Sequence, residues 1–231
     1  MSNTVRGTAQ AERGAPGDRA LAAWEIVSVT ASALIAEWVV LALAGRSRLV
    51  MLVPVVSAFT LIFLSQRIRR ERARDLGWRL DNFFEAVRLL ALPMLAATLF
   101  CILLGWLYGG LNLRLWRGGW SYLIVPTLGV AWGLMQQFVL QAFINRRAQI
   151  IWGRGRLSVF VVALVFGLLH LPNPGLSVAT FAGGLLWATV YQRAPNLLAL
   201  SLSHALMTWV LISTIPPPLL NNLRVGFKYF G

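Results

Sequence analysis

The sequence predicts an all-α protein, a polytopic transmembrane bundle of about seven membrane helices. Three observations carry that expectation. Of 231 residues, 58% are hydrophobic and only 13% charged, where soluble domains carry roughly a quarter charged residues. The mean hydropathy is +0.67. The apolar residues fall into long runs with the basic residues gathered between them, as charge flanking a membrane does.

Seven runs approach the ~20 residues that a helix needs to cross a ~30 Å hydrocarbon core. They are Ala22–Ala44, Leu49–Ser65, Leu89–Tyr108, Ser121–Ile144, Leu157–Leu171, Leu176–Tyr191 and Leu197–Thr214. The first ends in Ala42-Leu43-Ala44, which resembles a leader-cleavage site, but its length and its acids Glu25 and Glu37 read as a retained helix. The fifth and sixth are short and joined by Leu171-Pro172-Asn173-Pro174-Gly175, so a buried helix is an alternative to a full crossing for each. Pro93 and Pro126 fall inside runs, where neighbouring helices can satisfy the freed backbone groups. Trp78, Trp106, Trp116, Trp120 and Trp152 stand near run ends, where an interfacial aromatic belt belongs.

Around these runs the chain divides into a polar tail over 1–20 expected to be disordered, two membrane helices with a basic loop over 21–75, a membrane domain over 76–215, and a short C-terminal tail over 216–231. With the N-terminus in the cytoplasm, 15 basic residues face inside and six outside, so the charge bias predicts an N-in integral membrane protein. The net charge of +13 does not indicate nucleic acid, because the basic residues flank spans instead of lining one face. The single cysteine, Cys101, rules out a disulfide framework.

Polar residues within spans are the functional candidates, because hydrocarbon penalises each one that lacks a partner. Span four carries Gln136, Gln137 and Gln141, and the fourfold spacing of Gly129, Gly133, Gln137 and Gln141 predicts one stripe, small then polar. Its plainest role is interhelical hydrogen bonding, with the glycines allowing close approach. Both histidines of the chain lie in late spans: His170, four residues after Phe166, and His204, four before Thr208. A lone core histidine is usually just hydrogen-bonded, but two beside three glutamines suggest a shared cavity. Counted from the cytoplasmic run ends, Gln137, His170 and His204 lie about 15, 20 and 12 Å deep at 1.5 Å per residue, so they can meet.

These residues resemble the motifs of the CPBP family, the CAAX-protease and bacteriocin-processing group also called Abi. Its motifs read EExxxR, FxxxH and HxxxN in that order. Gln136, Gln137 and Gln141 stand at EExxxR; Phe166 and His170 match FxxxH; His204 opens the third motif, with Thr208 at its Asn position. The resemblance covers roughly residues 76 to 212, from Leu76-Gly77-Trp78-Arg79 onward. It implies a CAAX-protease-like helical fold in a bacterial plasma membrane. It also implies glutamic-type intramembrane hydrolysis of peptides, of CAAX or bacteriocin-related kind, without a cofactor. Gln136, Gln137, His170 and His204 would then be the catalytic positions, supported by Gln141, Phe166 and Thr208.

The departures bear on that activity. An amide has no oxygen basic enough to accept a proton near neutral pH. The loss of the family's Arg to Gln141 matches the loss of the acids, since an unpaired buried guanidinium is costly. No carboxylate follows Glu85, leaving Glu37 as the membrane acid best placed to substitute. Two histidines without Cys, Asp or Glu nearby fall short of a zinc site. A serine mechanism through Ser201 or Ser203 lacks an orienting acid, and a transporter lacks repeat symmetry. Hydrolysis and non-catalytic binding of a peptide or lipidated peptide, as in an immunity or scaffold protein, remain as the two readings.

Overall fold

The computed structural model describes residues 15–44, 48–111 and 121–231. Residues 1–14, Arg46, Arg114, Trp116, Arg117 and Trp120, on which parts of the tail, charge and belt expectations fall, lie outside the described residues. The described chain is helical throughout, with no strand, and is built as an integral membrane protein from apolar helices.

The first helix, α1, runs from Pro16 to Leu34, through a π-helical stretch at Ile35–Val40, and on over Leu41–Ala44. Pro16 occupies the first turn and Asp18 adds an acid there, a combination that favours helix initiation. Residues 16–20 are therefore helical, which corrects the disordered reading for that part of the tail. Helix α2 is Arg48–Ile68 and α3 is Phe83–Leu107, each with a proline inside, Pro54 and Pro93. Helix α4 begins as Ser121–Gln137, widens into a π-helix at Phe138–Asn145, and ends as Arg146–Trp152. Helices α5, α6 and α7 are Arg156–Leu168, Pro174–Arg193 and Leu197–Thr214.

All seven expected runs are thus helices, though not all cross on their own. Four helical stretches are long and apolar enough to span a bilayer: Pro16–Leu43, Phe83–Leu107, Thr127–Trp152 and Leu197–Thr214. The apolar part of α2, Leu52–Ile68, is shorter. Helix α5 has 13 residues, about 20 Å at 1.5 Å per residue, so it stops short of crossing.

The turn that follows α5 must therefore have its polar backbone satisfied by protein, because lipid offers no partners. Asn173 does much of this. Its side chain accepts from the Leu176 N–H at 3.1 Å and donates to the carbonyls of Leu220 and Arg224. Gly226 N–H donates to the Leu171 carbonyl at 2.9 Å. The segment after α7, expected to be a tail, is instead folded into the short turns Pro217–Leu220, Asn221–Leu223 and Gly226–Phe230, which close over this α5–α6 turn.

Where helices touch, small residues let them approach, as packing in lipid requires. A Cβ on Gly133 would lie 3.0 Å from the Ser201 carbonyl of α7. The segment Leu76–Arg79 is tied to the α6–α7 turn. Leu197 N–H donates to the Gly77 carbonyl, the Tyr191 hydroxyl to that of Leu76, and the Asn196 amide to that of Arg79.

Candidate functional site

The α4 stripe meets α7 as its spacing predicts. Gly133 brings the two helices together, and one turn further on Gln137, with no solvent exposure, places Nε2 at 3.0 Å from His204 Nδ1. With the amide nitrogen donating, Nδ1 is the acceptor and Nε2 of His204 carries the proton. Gln137 Oε1 is buried and makes no hydrogen bond among the described residues.

Aromatic rings wall the site. The indole of Trp187 stacks on the His204 ring at 4.6 Å between centroids and 3° between planes. Its Nε1–H donates to Ser203 Oγ at 3.0 Å, which fixes the indole in that plane. Phe166 lies edge-on to both imidazoles, 4.8 Å from His170 and 5.9 Å from His204. His170 Nδ1 is 2.7 Å from the Phe166 carbonyl, so Nδ1–H donates there and Nε2 is left as an acceptor. FxxxH thus has a local meaning: four residues apart on a helix, the Phe carbonyl sets the tautomer of the histidine while its ring covers it.

Not every candidate joins this group. Gln141 is fully buried, but its Oε1 accepts from Asn145 Nδ2 at 2.8 Å and it makes no hydrogen bond to either histidine. The reason is the π-helix that begins at Phe138, because the wider turn displaces residue 141 from the fourfold stripe. Gln141 instead opens an amide chain. Asn145 Oδ1 accepts from Gln149 and Gln192, and Gln192 also donates to Ser158 Oγ. Gln136 and Thr208 are half-buried and make no side-chain hydrogen bond among the described residues. Ser201 and Ser203 donate their protons to the carbonyls of Val130 and Leu200, which leaves neither hydroxyl turned to His204.

The acids lie elsewhere. Glu37 packs at Gly226, where a Cβ would come within 2.7 Å of the Glu37 carbonyl, and no hydrogen bond or ion pair joins it to the histidines among the described residues. Glu25 and Glu71 converge on Arg147, which has no solvent exposure, at 2.7 Å and 2.9 Å. Ser65 Oγ, 2.5 Å from Glu25 Oε1, accepts from Arg147 at 2.8 Å, and the guanidinium lies 4.8 Å from the centre of the Phe143 ring. Arg69 and Arg146 complete the cluster. Burial raises the Glu71 carboxyl, but hydrogen bonds and charge from Arg147 and Arg146 outweigh it and hold the group below the usual carboxylate range. Arg147, expected among solvated loop charges, is therefore a core residue. Counting sign and loop position could not reveal this, since its partners are distant in sequence.

Trp187, Asn145 and Gln192 are site and network residues that the sequence reading missed. Asn145 and Gln149 continue the fourfold spacing from Gln141 and were discoverable by it; Trp187 carries no local signal. Among the described residues no group of three His, Cys, Asp or Glu is placed to hold a metal.

No curated protein and no solved structure matches the chain. Residues 115–210 match the family described as type II CAAX prenyl endopeptidase Rce1-like. The matched segment begins later than Leu76 and contains Gln136, Gln137, Gln141, Phe166, His170, His204 and Thr208. Over that segment the chain is similar to the CAAX-protease-like family.

Proposed function

We propose that this protein binds a peptide or lipidated peptide tail against the cluster of Phe166, His170 and His204 without hydrolysing it. The single observation that supports this reading is the Gln137–His204 hydrogen bond. At a position where the family's motif has a glutamate, a neutral amide holds the imidazole, while Glu25 and Glu71 are engaged by Arg147. Glutamic hydrolysis needs a group that takes a proton from water, and an amide does not do so. The cluster offers apolar aromatic faces beside a few oriented polar atoms, which is the chemistry of ligand-binding sites. The charge bias further supports an N-terminus on the cytoplasmic side of the membrane.

Residual hydrolysis is the second reading, and one observation favours it: both imidazoles border the same Phe166 ring. A peptidase and binding assay on the purified full chain separates the two. Fluorescent peptides, prenylated and unprenylated, should be retained without release of product, and retention should fall in His204→Ala and Phe166→Ala. Cleavage by the wild type that disappears in His170→Ala would overturn the binding reading.

A further inference from the structure

A second site lies away from the histidines, at the membrane edge where α4 ends, α5 begins and α6 ends. There a cavity of about 580 Å³ is lined by Arg154, Arg156 and Arg193 around its rim and by Val159, Phe160 and Leu185 below. The volume falls in the range that holds a small organic ligand. Three features give its contents a chemistry.

The first is charge. Arg154 donates to the Gln192 backbone carbonyl, but none of the three arginines has a carboxylate partner among the described residues. The acids pair instead with Arg69, Arg74, Arg79, Arg146 and Arg147. The sequence has no acid after Glu85, so the whole α4–α7 segment lacks a counter-charge for this rim. The second is the wall. Phe160 is about half exposed, is held edge-on to Phe181 at 5.9 Å, and continues the apolar lining toward the lipid. The third is place. Gly155 N–H donates to Gln192 Oε1 at 2.9 Å, locking the start of α5 to the end of α6, so rim and wall keep a fixed relation at the water boundary.

We infer that this cavity is a binding site for an anionic glycerophospholipid. The headgroup phosphate is held by Arg156 and Arg193, with Arg154 beside them, and the upper acyl chain lies along Val159, Phe160 and Leu185. Guanidinium groups suit phosphate because they offer paired N–H donors in one plane. A zwitterionic lipid carries a compensating ammonium that three arginines would repel. A free phosphate satisfies the rim but leaves the apolar wall unused, so the inference commits to the lipid.

The test is native mass spectrometry of the delipidated full chain in detergent, titrated with phosphatidylglycerol and phosphatidylcholine of identical acyl chains. Wild type should retain phosphatidylglycerol roughly thirtyfold better, as about 1 kcal/mol from each of Arg156 and Arg193 near an anionic lipid implies. That preference should disappear in Arg156→Gln/Arg193→Gln and survive in Arg156→Lys/Arg193→Lys, a pair that controls for folding. Phe160→Ala should weaken both lipids. Equal retention of the two lipids, or a preference untouched by the Gln pair, would overturn the site. So would inorganic phosphate stabilising the protein against heat as well as phosphatidylglycerol does, since that marks a bare anion site.

Discussion

Gln137 on α4 and His204 on α7 share a hydrogen bond of 3.0 Å beneath the stacked indole of Trp187, with Gln137 wholly removed from solvent. The amide therefore acts as a tether between two membrane helices as well as a site residue. Gln137→Leu keeps the volume and removes the bond, leaving a buried ring nitrogen without its donor. It should destabilise the protein by about 1–3 kcal/mol, the cost of an unsatisfied buried polar group. Thermal unfolding in detergent would measure this, and a variant as stable as wild type would show that the bond contributes nothing.

Gln141→Arg restores the family's residue in a place that has lost the matching acids. A guanidinium buried there without a partner should cost several kcal/mol and sharply lower the yield of folded protein. Adding Gln136→Glu and Gln137→Glu should recover part of that loss. The triple variant is also the one in which peptide cleavage is expected to appear, read as product formation absent from the single variant.

Arg147→Met should destabilise by about 3–5 kcal/mol, because it removes the buried cation that Glu25 and Glu71 share and leaves them only Arg69 and Arg146 at the edge of the cluster. Combining it with Glu25→Gln and Glu71→Gln should return most of the lost stability. Denaturant or heat unfolding of the two variants, side by side, gives the comparison.

Glu71 also sets a pH dependence. Its folded carboxyl titrates below the ordinary 4.5, so its contribution is complete above that value and is lost as pH falls through the lower folded one. The Glu71 contribution, read as the difference in unfolding temperature between wild type and Glu71→Gln, should be level above about pH 5.5 and shrink in more acid solution. In Glu71→Gln the acid limb should be shallower, at the cost of lower stability near neutrality.

Gly77 adopts φ +93°, and a Cβ there would meet the Leu197 backbone nitrogen at 3.2 Å and the Tyr191 ring at 3.3 Å. Gly77→Ala should cost about 1–3 kcal/mol through backbone strain, with crowding of the α6–α7 turn added to it. Circular dichroism melting would register the change.

How much of this was legible depends on the kind of force involved. The seven helices could be read because lipid demands continuous apolar runs, and each run became a helix. The Gln137–His204 pair could be read from fourfold spacing and depth. Gln141 could not, since its displacement follows from the π-helix over Phe138–Asn145, which has no simple sequence mark. The incomplete crossing of α5 was foreseen only as an alternative, because Leu169 and Leu171 extend the apolar run although the backbone has already turned. The closing turns after Thr214 and the burial of Arg147 rest on contacts between distant segments, which periodicity does not encode.

The Arg147 cluster has a bearing on biogenesis. Glu25 and Glu71 leave the ribosome well before Arg147; Glu25 can pair at once with Arg69 and Ser65, whereas Glu71 waits for Arg146 and Arg147. Arrival of α4 therefore completes a cluster that the first two helices have already begun, and ties its closure to entry of the segment that also bears Gln137.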